Sequence, residues 1–116
     1  MCHVLIIEDE VLIALDIEDI LTRQGATSFD VVDTEQAAVS AAIARKPDMM
    51  TVDVMLKSGF GPSAVETITR QLGPIPVIFI TATPEACRAD DRTRVLLKPI
   101  DEAAVSHAYH ALRDAA

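Results

Sequence analysis

Five short apolar runs, separated by segments with helical periodicity, constrain the fold of this chain more than any other feature. The runs are residues 4–7 (VLII), 31–32 (VV), 49–52 (MMTV), 77–80 (VIFI) and 95–97 (VLL). Most are continuous rather than alternating, which is the pattern of strands buried on both faces of a parallel sheet. Between them the period changes to that of a helix. In residues 11–24, Ile13, Ile17, Ile20 and Leu21 share one face while Asp16, Asp19 and Arg23 share another, and Gly25 supplies a stop. Residues 35–46 group Ala38, Val39, Ala42 and Ile43, with Pro47 ending the segment. Residues 62–72 begin with a proline, align Val65, Ile68 and Leu72, and stop at Gly73-Pro74. Residues 102–113 follow an N-cap at Asp101 and align Val105, Ala108 and Leu112.

Strand alternating with helix predicts an α/β fold: a doubly wound, five-stranded parallel sheet of the flavodoxin-like type, with helices on both faces. The weak connection is TATPEACRADDRT, residues 81–93, which has few apolar side chains to pin a helix. A short or mobile fourth helix is expected there, with an ordinary helix packed through Ala86 and Ala89 as the alternative.

A chain of 116 residues, half of them hydrophobic and only 3% aromatic, is one domain (1–116) with an aliphatic core. Its formal charge of −8 argues against nucleic-acid binding, which needs a basic stripe, and against a polybasic membrane anchor. No apolar stretch approaches the length of a membrane span, so no membrane insertion is expected. Nor does the chain open with a charged n-region and an h-region, so a soluble, cytoplasmic protein is expected. Cys2 and Cys87 lack metal or redox spacing and read as reduced thiols.

Open α/β sheets bind ligands beyond the carboxyl ends of their strands. Four of those ends carry conspicuous residues: Glu8-Asp9-Glu10 after the first strand, Asp53 after the third, Thr81 after the fourth, and Lys98-Pro99 after the fifth. Singly, each has a bland reading, as a helix-dipole partner, a turn residue or a solvated lysine. Together they assemble carboxylates, a hydroxyl and an ammonium at one edge. Converging carboxylates repel unless a hard divalent cation joins them, and Mg²⁺ (or Mn²⁺) takes carboxylates together with water and phosphate oxygens. Lys98 adds a counter-charge for Asp53 and a point-charge clamp for a phosphoryl oxygen. A carboxylate kept ionised in that setting is a competent nucleophile toward phosphorus.

In their order and spacing, IIEDE, VDVML, FITAT and LLKP resemble the receiver domain of bacterial two-component response regulators, across nearly the whole chain. The resemblance implies that Asp53 accepts a phosphoryl group from a sensor histidine kinase or a histidine phosphotransfer protein. It implies that Asp9 and Asp53 ligate the metal directly, Glu8 largely through water, and Met55 through its backbone carbonyl. Thr81 and Lys98 would contact the phosphoryl group, with the small Ala82 leaving room, and the Lys98-Pro99 bond would be cis. Glu10 reads as a helix-entry acid. Such a domain is no enzyme in the ordinary sense, since it promotes only its own phosphorylation and dephosphorylation.

The chain departs from the family pattern in two places. Where receivers usually carry an inward-turning Tyr or Phe, three residues before the lysine, this chain has Val95. The loop after Asp53 reads Lys57-Ser58-Gly59-Phe60-Gly61 in place of the usual Pro then Gly; a solvated Lys57 is expected. The segment PVIFITA is partly similar to a subgroup of mostly stand-alone receivers that lack the switch aromatic. In that subgroup, signalling would run through reordering of residues 82–93. With no output domain after the last helix, either a single-domain regulator or a piece of a longer protein is expected, acting through a protein partner. Its partner face would include Val95, Pro99, Tyr109 and His110.

Three rivals remain on the sequence. A haloacid-dehalogenase-type phosphohydrolase would need a second acid two residues after Asp53, where Met55 stands. A nucleotide binder would need a Gly-rich loop after the first strand. A pseudo-receiver, an interaction module on the same fold, would not use the acidic site. His107 and His110 lie one turn apart, but without a third ligand they read as surface histidines, as does His3.

Overall fold

The computed structural model describes residues 1–115. Its elements follow the order β1 (His3–Ile7), α1 (Val11–Gln24), β2 (Ser28–Val32), α2 (Glu35–Ala44), β3 (Met49–Val52), α3 (Gly61–Leu72), β4 (Val77–Thr81), a 3₁₀ turn (Pro84–Ala86), β5 (Thr93–Leu97) and α4 (Glu102–Ala115). The strands form one five-stranded sheet in the order β2-β1-β3-β4-β5. Every adjacent pair is parallel, so all the strands' carboxyl ends lie along one edge.

Alternation along the buried strands divides the core into two layers. Val4 and Ile6 of β1, with Ile78 and Ile80 of β4, pack under α1 and α4 against Ile17, Leu21, Val105 and Leu112. Leu5 and Ile7, with Val52, Val77 and Phe79, pack under α2 and α3 against Ala38, Ala42, Ala64 and Ile68. The small alanines of α2 allow that helix to lie close to the sheet. This is the doubly wound arrangement that the continuous apolar runs predict. Helix ends also behave as their residues dictate: Thr34 caps α2 by accepting from Ala37 N–H at 3.1 Å. Gly25 closes α1 in the left-handed region at φ 112°, and Asp101 accepts from Ala103 N–H at 3.0 Å.

Residues 81–93 hold only a short helical element, the 3₁₀ turn Pro84–Ala86, as expected; the alternative of an ordinary helix packed through Ala86 and Ala89 is not taken, and both alanines are exposed. With no apolar stripe to bury, that segment has nothing to offset the cost of helix nucleation. Two expectations need correction. Ile43 is half exposed on α2 rather than joining Ala38 and Ala42 inside, and the helix ends at Ala44 rather than at residue 46. His3 is buried, its ring bridging Ser28 Oγ at 2.8 Å and Asp30 Oδ2 at 3.0 Å on the edge strand β2. Tyr109 is buried in the α1/α4 layer, whereas Val95 packs into the α2/α3 layer.

Ile68 is fully buried between α3 and the sheet. Truncation of such a side chain costs about 2–5 kcal/mol. Ile68→Ala is therefore expected to lower the midpoint of urea unfolding without changing its slope.

Candidate functional site

The ladder hydrogen bonds run one residue past the strands and fix the backbone of the three central site residues. Glu8 N–H donates to Val32 O at 2.9 Å, Asp53 N–H to Ile7 O at 2.9 Å, and Lys98 N–H to Thr81 O at 2.9 Å. Each side chain therefore leaves from a rigid strand end, and all leave at the same edge. The Lys98-Pro99 bond is cis, as the resemblance implies.

At the centre stands the Lys98 ammonium. It donates to Asp53 Oδ2 at 3.0 Å and to Glu10 Oε1 at 3.3 Å, and lies 3.1 Å from Glu8 Oε1. The Glu8 contact lacks hydrogen-bond geometry, so that fully buried oxygen is held by charge and keeps its lone pairs unfilled. Glu8 Oε2 accepts from Glu10 N–H at 3.1 Å, and Asp9 Oδ2 accepts from Lys57 N–H at 2.6 Å. Each of Glu8, Asp9, Glu10 and Asp53 offers an oxygen within 4.8 Å of the others.

Four carboxyl groups around one ammonium leave a surplus of negative charge. Burial is the main cause that pushes the Glu8 carboxyl up to about 7, and the nearby Asp53 charge adds to it against the pull of the Glu10 amide and Lys98. Burial alone would depress the Lys98 ammonium. A hydrogen bond to Asp53 and the attraction of Asp53 and Glu8 outweigh that and raise it above its ordinary value. A hard divalent cation fits this donor set: all-oxygen ligands, excess negative charge and a buried carboxylate oxygen with no hydrogen bond.

The remaining site residues surround this core. Thr81 ends β4 with its hydroxyl buried, accepting from Thr83 N–H at 3.0 Å and bonded to the Thr83 hydroxyl at 3.1 Å. Met55 is exposed and bridges to Phe60, closing the loop after β3. Lys57 and Pro99 are exposed, as is Ala82. Glu10 is the N-cap of α1 but makes no side-chain cap; its carboxylate turns to Lys98 instead, so it is more than the helix-entry acid expected. His107 and His110 are exposed, and His110 bonds to Gln24 at 2.9 Å. Among the described residues they join no metal-ligating cluster.

Sequence reasoning missed Gly61. Its N–H donates to Val54 O at 2.8 Å, and a Cβ there would overlap the Asp53 carbonyl oxygen. Only glycine lets α3 start against the backbone of Asp53. Nothing local marks the position, because the collision exists only once the loop after β3 has closed. That loop is held by Glu35, whose carboxylate accepts from Phe60 N–H at 2.9 Å and Ser63 Oγ at 2.8 Å. Those bonds hold the Glu35 carboxyl below its usual range.

A family model for the response regulator receiver domain matches residues 4–110. This chain belongs to that family. The phyllosphere-induced regulator PhyR of Methylorubrum extorquens is 36% identical over 109 residues, covering 90% of this chain and 40% of that protein. The solution structure of the PhyR receiver domain from Erythrobacter litoralis superposes with a TM-score of 0.85 at 35% identity, covering 97% of this chain and 90% of that one. The anti-anti-sigma factor PhyR of Bartonella quintana gives a TM-score of 0.81 at 33% identity, covering 96% of this chain and 48% of that one. The receiver thus spans less than half of the full-length relatives, which are themselves regulators. No helix among the described residues is long and apolar enough to cross a membrane.

Two outcomes are expected. Gly61→Ala overpacks the Asp53 backbone and costs about 1–3 kcal/mol, measured by urea unfolding, with displacement of the Asp53 amide resonance. The second concerns pH. An acid whose folded-state pKa is raised retains its proton where the unfolded chain has lost it, so stability falls as pH rises. For Glu8 that window runs from its ordinary 4.5 to about 7. In metal-free buffer, Glu8→Gln is expected to remove this part of the decline, and added Mg²⁺ to flatten it in the wild type.

Proposed function

We propose that this receiver accepts a phosphoryl group on Asp53 from the phosphohistidine of a sensor histidine kinase or histidine phosphotransfer protein. The observation that carries the reading is the buried Asp53–Lys98 pair at 3.0 Å, set against an acidic cluster at the strand ends. Lys98 holds Oδ2, and no hydrogen bond among the described residues engages Oδ1, which is the oxygen to attack phosphorus. A bond forms from Oδ1 to phosphorus, the phosphorus–nitrogen bond breaks, and the imidazole leaves with the bonding pair and takes up a proton.

Glu8, Asp9 and Asp53, with the Met55 backbone carbonyl, would hold Mg²⁺ or Mn²⁺. The cation supplies charge neutralisation for the phosphoryl oxygens. Lys98 neutralises a second phosphoryl oxygen, and Thr81 donates to a third once its hydroxyl leaves Thr83. Backbone fixation of Glu8, Asp53 and Lys98 provides the positioning on which phosphoryl transfer depends. Beside Asp9 lies a cleft of about 340 Å³ whose lining includes Val11, Leu15 and Val31. Val11, Leu12 and Leu15 are exposed on α1, which supports docking of the phosphodonor protein over this rim.

Signalling then proceeds through residues 82–93. Thr81 is tied to Thr83, so its recruitment by a phosphoryl oxygen disturbs a turn that no helix stabilises. Val95 takes the place of the usual aromatic and is half-buried, so the strand offers no aromatic side chain to swing. A downstream protein is the partner, in line with the regulators among its relatives, one of them titled an anti-anti-sigma factor. The acidic net charge makes DNA or RNA an unsuitable direct target. The domain acts in the cytoplasm. A phosphohydrolase role is disfavoured by the exposed, uncharged Met55 side chain where a second acid is needed.

Beryllofluoride with Mg²⁺ is expected to shift the backbone NMR resonances of Thr81, Lys98 and residues 82–93. Asp53→Asn should abolish those shifts. A silent wild type would leave an interaction module that does not use its acidic site.

A further inference from the structure

The Lys98 ammonium donates to two carboxylates, Asp53 at 3.0 Å and Glu10 at 3.3 Å, and Glu8 holds it by charge at 3.1 Å. An incoming phosphoryl oxygen competes with these carboxylates for the ammonium. The three are not equivalent. The side chains of Glu8 and Asp53 are 1% and 8% exposed, and their backbones are fixed by the ladder bonds of β1 and β3. The Glu10 side chain is 59% exposed. Its backbone holds the loop, the N–H donating to Glu8 and the carbonyl accepting from Ala14 N–H at 3.0 Å, while its carboxylate makes no cap bond to α1. Swinging it into water therefore breaks one contact, that to Lys98, and disturbs neither helix nor sheet.

We infer that Glu10 is a positioning residue that occupies the phosphoryl-facing donor of Lys98 in the resting protein and is displaced when the phosphoryl group arrives. The inference rests on the phosphoacceptor reading of Asp53. Glu10 thereby does two things. It parks the ammonium between Asp53 and solvent, so Lys98 is not drawn wholly against Glu8. It also sets a toll on phosphorylation, because its contact must be lost and its charge faces the anionic donor. An exposed ion pair of this kind supports a rate effect of up to about fivefold.

The test uses the full chain with acetyl phosphate and Mg²⁺, scoring acyl phosphate by intact-protein mass spectrometry. Glu10→Gln is expected to be phosphorylated up to about fivefold faster at low ionic strength, with the gap narrowing as salt screens the charge. Glu10→Asp keeps the charge but is one methylene too short to reach Lys98, and is expected to be faster than wild type as well. A Glu10→Asp rate equal to wild type would reduce Glu10 to a through-space charge and overturn its positioning role. So would equal rates for Glu10→Gln and wild type at every salt concentration. A tenfold or greater loss of Mg²⁺ affinity in Glu10→Gln, by isothermal titration, would make Glu10 a metal ligand and also overturn it. If the wild type takes no phosphoryl group, the phosphoacceptor reading itself falls. The contact is then judged by the Lys98 Nζ NMR resonance, which Glu10→Gln must shift for the resting arrangement to stand.

Discussion

One ammonium among four carboxyl groups governs how this edge of the sheet is organised. Lys98 is the cation that makes it possible for Glu8 and Asp53 to be buried side by side. Its own position is set by strand β5, while its partners are set by β1 and β3. The ion pairs therefore join three strand ends that no side-chain packing connects across the top of the sheet. The charge is still not balanced: four carboxyl groups face one ammonium, and burial together with the Asp53 charge holds the Glu8 carboxyl up. A divalent cation at the proposed site would offset that surplus, whereas an arriving phosphoryl group would add to it and compete with Glu10 for Lys98.

The fold was legible because its determinants are repeated and local. Continuous Ile, Leu and Val runs with amphipathic segments between them leave few alternatives to a parallel sheet covered on both faces. The site was legible for a related reason: a parallel sheet places all strand ends on one edge, so residues far apart in sequence converge there. What escaped notice depends on relations that no local pattern carries. The side of the sheet reached by Tyr109 depends on how α4 is rotated against α1, and that rotation buries the ring. His3 is buried because Ser28 and Asp30 on the neighbouring strand take both its nitrogens. Gly61 matters through a carbonyl eight residues earlier, and Glu10 through a lysine that arrives from the other end of the chain.

The segment after β4 shows the opposite case, in which a sequence weakness becomes a structural property. Residues 81–93 lack the apolar spacing of a helix and form only a three-residue turn. In the proposed mechanism, Val95 in place of an aromatic moves the responsive element from a side chain to a stretch of backbone. Backbone reordering is limited by entropy rather than by side-chain fit, so the response is expected to be graded rather than snapped between two rotamers.

The backbone of Asp53 is braced on one flank and slack on the other. On one flank, Gly61 presses α3 against the Asp53 carbonyl with no space for even a methyl group. On the other, Thr81 leads into a turn with few buried side chains. In the proposed mechanism, a force generated at Asp53 would meet a wall in the first direction and a segment without an α-helix in the second. The glycine would then act as an abutment, directing the response toward residues 82–93.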